Sequence, residues 1–187
     1  SEATRRGGGG VKIERRRVAS ASIQGNVLEG YAVRFGEPSR PLPDGRSLFI
    51  ETIDSRAFDR SLSSERSVGL YWNHDISALP LTTTRSGLTL EADSEGIKFS
   101  ARLADTTQAR DVAALLADGS LDGSMSFGFV AQRDEWTDGD RYKERTIREA
   151  VLVECSLVDV GAYPNSRAAL KNPRRNRALR TLESLTR

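Results

Sequence analysis

Gly123-Ser124-Met125-Ser126-Phe127-Gly128-Phe129 is a stretch in which large apolar and small polar residues alternate. Successive side chains on a strand point to opposite faces, so Met125, Phe127 and Phe129 form one face and Ser124, Ser126, Gly128 and Val130 the other. The first is a core face. The second is small, and Gly128 leaves a bare backbone beside Ser126 where a peptide can approach. That second face reads either as the floor of a cleft or as a solvated surface that happens to carry two serines. The pattern does not match in register the Gly-x-Ser-x-Gly elbow of the hydrolases.

Working outward, this strand is expected to run from Met125 to Arg133, with a turn at Asp138-Gly139 and a return strand from Tyr142 to Glu149. Ala150 to Val160 is the most apolar run and predicts a central strand. Upstream, Val27 to Phe35 alternates as a half-buried strand, and Pro38, Pro41, Pro43 and Asp44-Gly45 mark a loop. Asp54 or Ser55 can cap a short helix with Phe58 and Leu62 on one face. Val68 to Trp72 reads as a strand with His74 at its end. Leu88–Ala92 and Ile97–Leu103 form a hairpin around Asp93-Ser94-Glu95-Gly96. The clearest helix starts at Asp105, with Gln108 completing a capping box, carries Ala109, Val112, Ala113 and Leu116, and stops at Asp118-Gly119. Many short strands with two or three helices predict an α+β fold: a mainly antiparallel β-barrel or open sheet surrounded by a few helices.

At 187 residues, 37% of them apolar, the chain suits one domain with a real core. No run approaches the ~18 apolar residues of a membrane span, and the first residues lack the apolar stretch of a secretory signal. A lone cysteine rules out an intrachain disulfide. The net charge of +2 is unevenly spread: residues 1–17 hold six Lys/Arg against two Glu, and residues 171–187 hold six against one. An acidic domain over 18–170 is thus expected between a basic N-terminal tail, 1–17, and a basic C-terminal tail, 171–187. Gly7 to Gly10 is a flexible break, with folded structure starting near Val11. The tails fit an anionic partner or plain solvation; with no aromatic side chain among their arginines, they argue against nucleic acid.

The chain has a single histidine, His74, in Tyr71-Trp72-Asn73-His74-Asp75. One histidine and one cysteine make a poor zinc site, which takes about four N or S ligands. The economical chemistry is a serine hydroxyl whose proton passes to His74. Against it stands a surface or satisfied polar histidine flanked by turn residues. Glu154 interrupts Val151-Leu152-Val153-Glu154-Cys155-Ser156-Leu157-Val158, and a buried carboxylate needs partners. It can orient an imidazole, or it is a solvated edge residue or the partner of an arginine. Asp75 is too close in sequence to reach its neighbour's ring, and Cys155 falls on the opposite face as core filler.

Together these segments resemble the prohead (capsid-maturation) serine proteases of tailed bacteriophages. The resemblance spans roughly 27–166. It is carried by Glu29-Gly30-Tyr31-Ala32-Val33-Arg34-Phe35, Arg56-Ala57-Phe58-Asp59 with Ser61-Leu62, Tyr71 to Asp75, Ser124 to Phe129, and Glu154 to Val158 with Ala162-Tyr163-Pro164. It departs from the family pattern at Ser124, where glycine is frequent, and at Cys155, where valine is common. The resemblance implies a fold related to the herpesvirus assembly proteases, with His74 as base, Ser126 as nucleophile and Glu154 as third member, and no cofactor. It implies capsid and scaffold segments as substrates, self-cleavage, action inside the assembling prohead in the cytoplasm of the infected bacterium, and self-association as in related dimers. Backbone N–H groups or an arginine between Gly161 and Arg167 would serve the oxyanion. The alternatives are a non-enzymatic scaffold or capsid-interacting module, and another serine hydrolase such as an esterase.

Overall fold

The computed structural model of the chain describes residues 12–18 and 21–158. Two sheets share one core. The larger has the order β1 (Glu14–Val18), β10 (Met125–Asp138), β11 (Lys143–Leu157), β5 (Ser47–Ile53), β4 (Leu42–Asp44), with β6 (Gly69–Trp72) also on β11 and β7 (Thr82–Thr83) on β6. The smaller runs β2 (Ala21–Gln24), β3 (Val27–Arg34), β9 (Gly96–Arg102), β8 (Leu88–Ala92). All pairings are antiparallel except those of β11 with β5 and β6.

β11 is the spine. One side of it pairs with β10 along nearly its whole length, while the other takes β5 against Lys143–Ile147 and β6 against Glu154–Leu157. Between those two partners the exposed ladder would leave amides without acceptors, a costly state inside a protein. The segment around α1 (Asp59–Leu62) fills the gap: Ala150 donates its N–H to the Ala57 carbonyl at 2.8 Å, and Leu152 to Ser61 Oγ at 2.9 Å. The same segment sends Phe58 into the core, edge-on to Phe127 and Phe129 with centroids 6.2 Å away in each case. Truncating a side chain so enclosed costs about 3–5 kcal/mol. So the short Arg56–Leu62 motif closes the sheet and plugs it.

The expected alternation of β10 holds on its apolar face, where Met125, Phe127 and Phe129 are buried. The strand continues past Arg133 to Asp138, bent by register shifts at Gly128/Phe129 and around Arg133. The two strands expected at Tyr142–Glu149 and Ala150–Val160 are one. The hairpin at Asp93–Gly96 forms as expected, Asp93 Oδ1 accepting from the amides of Glu95 and Gly96. The helix α2 (Thr107–Asp118) is capped by Thr106, whose Oγ1 accepts from the Ala109 amide at 3.2 Å, and not by Asp105, which pairs with Arg110 instead. Gly119 ends it in the left-handed region, φ 83°.

Of the barrel and the open sheet that the sequence allowed, the described strands form the open one: two sheets, with Ala21 of β2 donating its N–H at 2.9 Å to the carbonyl of Gly123, just before β10. Residues 14–17, read as part of a basic tail, form a strand against β10. The sequence expected a loop across Pro38–Gly45, where the structure has the short β4 hairpin with β5. The C-terminal tail, Gly161–Arg167 and the Ala162-Tyr163-Pro164 piece lie outside the described residues.

Candidate active site

Register on β11 brings the site together. Glu154 and Ser156, two apart, share one face. In the ladder with β10, Ser156 lies opposite Ser126 and Glu154 opposite Gly128; in the ladder with β6, Glu154 lies beside Gly69 and Ser156 beside Tyr71. Glu154 therefore has glycine on both flanking strands. On the β10 side the space is taken by its own carboxylate, since a Cβ on Gly128 would come within 2.5 Å of Glu154 Oε1.

β6 ends at Trp72, and the chain turns directly into the site through Asn73 and His74, at φ 50° and 61°. Left-handed backbone costs a residue with a side chain roughly 1–2 kcal/mol, so two in succession need outside support. It comes from β11: Asn73 N–H donates to the Leu157 carbonyl at 2.8 Å, and His74 N–H to Ser156 Oγ at 3.2 Å. Strained backbone held in place by its surroundings is a frequent mark of a functional site.

The turn delivers the imidazole to Glu154, with Nδ1 2.7 Å from Oε1, while Ser156 Oγ donates to Oε2 at 2.6 Å. Glu154 is 1% exposed and the His74 side chain 20%. The ring thus stands between interior and surface, its inner nitrogen on the acid. A carboxylate in its ionised form only accepts, so this contact favours a proton on Nδ1, and in the neutral ring that tautomer keeps the lone pair on Nε2. Both solvated readings of the sequence, a free surface histidine and an edge glutamate, fail on this pair. The paired-with-arginine reading holds in part, since Arg15 Nε stands 3.8 Å from Glu154 Oε1.

Ser126 is buried, and its hydroxyl donates to the main-chain carbonyl of Arg16 at 2.9 Å. Cross-strand partners have Cβ atoms about 4.5–5.5 Å apart, so Ser126 is the neighbour of Ser156, which in turn holds both His74 and Glu154. Ser124, on the same face of β10, is also buried, and its hydroxyl has no hydrogen-bond partner among the described residues. Cys155 points into the core, and its thiol is driven far above its ordinary range by burial and by the neighbouring Glu154 charge. It is no nucleophile. Asp75 caps its own turn, accepting from Ser77 and Ala78.

Ser156 was missed as a site residue, though its i+2 spacing from Glu154 already put the two on one face. Among the described residues no cluster of His, Cys, Asp or Glu could hold a metal ion, and no helix is long and apolar enough to cross a membrane.

Compared with known proteins, residues 12–180 match the family model described as "Caudovirus prohead serine protease". A search of solved structures finds the capsid assembly protease gp21 of bacteriophage T4 at 12% identity and TM-score 0.40, covering 73% of this chain and 98% of that one. No curated protein matches the chain.

Proposed function

The chain belongs to the caudovirus prohead serine proteases, enzymes of capsid maturation, and from that premise we propose that Ser126, His74 and Glu154 are its nucleophile, general base and orienting acid. Ser126 Oγ attacks the scissile carbonyl as its proton passes to His74 Nε2. The same proton then goes to the leaving amine, and water repeats the sequence on the acyl-enzyme. Glu154 keeps the Nδ1–H tautomer and stabilises the imidazolium that forms. Ser156 acts through the other two, fixing the carboxylate by Oε2 and the left-handed turn through the His74 amide.

The observation that carries this reading is the 2.7 Å contact between the single imidazole and a buried carboxylate one strand from Ser126. A solvated histidine needs no such partner. Before attack the Ser126 hydroxyl must leave the Arg16 carbonyl for the imidazole. Membership of the family supports capsid and scaffold segments as substrates and action in the assembling capsid within the host cell, while the motif resemblance alone supports kinship of fold with the herpesvirus assembly proteases, the cytoplasm as the compartment, self-cleavage and self-association.

The test is a labelled polypeptide substrate with a serine-directed fluorophosphonate. Ser126→Ala and His74→Ala are each expected to lose activity by about a thousandfold or more, the double variant little further, since members of such a group act as a unit. The reagent's mass should map to Ser126. Labelling at Ser124, or retained activity in Ser126→Ala with loss in Ser124→Ala, would reassign the nucleophile.

A further inference from the structure

β1 meets the nucleophile strand in a way that a structural edge strand does not require. It lies antiparallel along β10 with Arg17 opposite Ser126, and its Arg16 carbonyl receives the Ser126 hydroxyl. It is, in form, an extended peptide added to the edge that carries the reactive serine.

Its side chains on the other face are seated with equal care. Arg16 makes a fork on Glu51, Nε to Oε1 at 2.6 Å and Nη2 to Oε2 at 2.8 Å, with its guanidinium 5.4 Å over the Phe129 ring. Glu51 is 2% exposed and needs a second anchor, which is Arg145 Nη1 at 3.0 Å. Arg145 in turn forks onto Glu14, at 2.6 and 3.0 Å, and its Nε is held by Asp134 at 2.6 Å. Thus β1 docks by two reciprocal ion pairs spaced two residues apart: its acid on a fixed arginine, its arginine on a fixed acid. Bidentate pairs of this kind give geometric specificity as well as affinity. On the Ser126 face Arg15 takes a share of Glu154.

Resting on the assignment of Ser126 as nucleophile, we propose that β1 occupies the enzyme's own substrate strand. Arg16 is the residue on the acyl side of the bond to be cut, Glu51 is the specificity residue that holds it, and Arg145 selects an acid two residues earlier. The substrate class is an extended peptide of the form Glu-x-Arg, and the chain's own Glu14-Arg15-Arg16 is one. Ser126 Oγ adds to the Arg16 carbonyl carbon, its proton going to His74. The Arg16–Arg17 C–N bond breaks as that proton passes to the Arg17 amine. Water then hydrolyses the Arg16 ester, freeing Ser126 and a peptide that ends in an Arg16 carboxylate. While β1 stays docked, the edge is closed to other peptides.

The experiment follows the intact mass and new N-termini of the full chain over time, with labelled casein as a general polypeptide substrate. The wild type should yield a species beginning at Arg17, with a first-order rate independent of protein concentration. Ser126→Ala should not. Arg16→Gln, which removes the fork, should slow this cut at least thirtyfold. Arg16→Lys, which keeps the charge but loses the two-toothed fit, should fall between. Glu51→Gln should slow it comparably if it folds; the Arg16 pair decides the matter if it does not. Hydrolysis of casein with no cut at 16–17, Ser126-dependent cuts at other bonds only, or a 16–17 cut undiminished in Arg16→Gln overturns the assignment of β1 and leaves the protease reading intact. A wild type that cuts neither casein nor itself overturns the protease reading, and this one with it.

Discussion

Gly128→Ala puts one methyl group where the Glu154 carboxylate now lies. The added Cβ would sit 2.5 Å from Oε1, 3.1 Å from the carboxyl carbon and 3.2 Å from Cγ, whereas ordinary contact starts near 3.4 Å. The carboxylate must retreat by roughly 0.9 Å. It is the far end of a flexible side chain, so the backbone need not move. Yet it cannot retreat freely, because His74 and Ser156 hold its two oxygens at 2.7 and 2.6 Å. A shift of that size takes the His74 bond beyond about 3.2 Å, the outer edge of a good hydrogen bond. Misplacing a catalytic group by about 1 Å costs on the order of a hundredfold in rate, or roughly 2.7 kcal/mol of transition-state stabilisation. The fold should lose less. Overpacking costs about 1–3 kcal/mol, and replacing a strand glycine returns about 0.5–1 kcal/mol. The assay pairs kcat on a labelled peptide with a calorimetric melt of the same preparation. A hundredfold fall in kcat with a cooperative, slightly lowered melt is expected. A kcat within threefold of wild type would mean that the Glu154–His74 contact does not set the rate, and the proposed role of the acid would fall.

Two further outcomes follow from the same geometry. Glu154→Gln keeps the size of the side chain but not the charge, and a neutral amide can hold the wrong tautomer. It should cost kcat about 10³–10⁴-fold, in the manner of other triads, with little change in melting; unchanged turnover would return Glu154 to a purely structural role. For β1, burial works to raise the Glu14 carboxyl, but its hydrogen bonds and charge pairing with Arg145 and Arg16 outweigh that and hold it below 4.5. A lowered folded value means that the docking it supports is at full strength above the ordinary carboxyl pKa and is lost as pH falls through the lowered one. Amide-exchange protection of residues 14–17, corrected for intrinsic rates, should therefore be flat near neutrality and collapse in acid before the rest of β10 opens. Protection that is independent of pH would detach Glu14 from the docking of this strand.

Much of the fold was legible because period-two alternation marks the core face of a strand, as at Met125–Phe129; in Val27–Arg34 a bulge between Tyr31 and Val33 interrupts it, and the consecutive Ala32 and Val33 are both buried. The failures share a cause: local composition records what covers a strand, not where the strand ends. The charged stretch Lys143–Glu149 and the apolar stretch after Ala150 read as two strands. They are one, since the first half runs beside β5 and the Arg145 ion pairs, while the second is roofed by α1 and β6. Likewise Asp105 with Gln108 imitated a capping box, but the cap is decided by which side chain reaches a free amide, and Thr106 reaches that of Ala109.

The site was legible to a different degree at each residue, and the gradient follows sequence distance. His74 stood out as the sole imidazole, and Glu154 as a carboxylate inside an apolar run that needs a partner, although the sequence left open which partner. Ser156 was readable from spacing alone. Arg16 was not, because its partner Glu51 is thirty-five residues away and Arg145 much further. Counted as charge, Arg15-Arg16-Arg17 is a solvated tail. Counted by contacts, Arg16 is neutralised by a carboxylate that has almost no solvent of its own, and an ion pair that is desolvated on both sides must fit closely to offset the cost of leaving water. Such a fit between a terminal strand and a fixed acid–base pair is what a substrate site needs in order to tell one peptide from another. A plain edge strand could be held by backbone bonds to β10 alone.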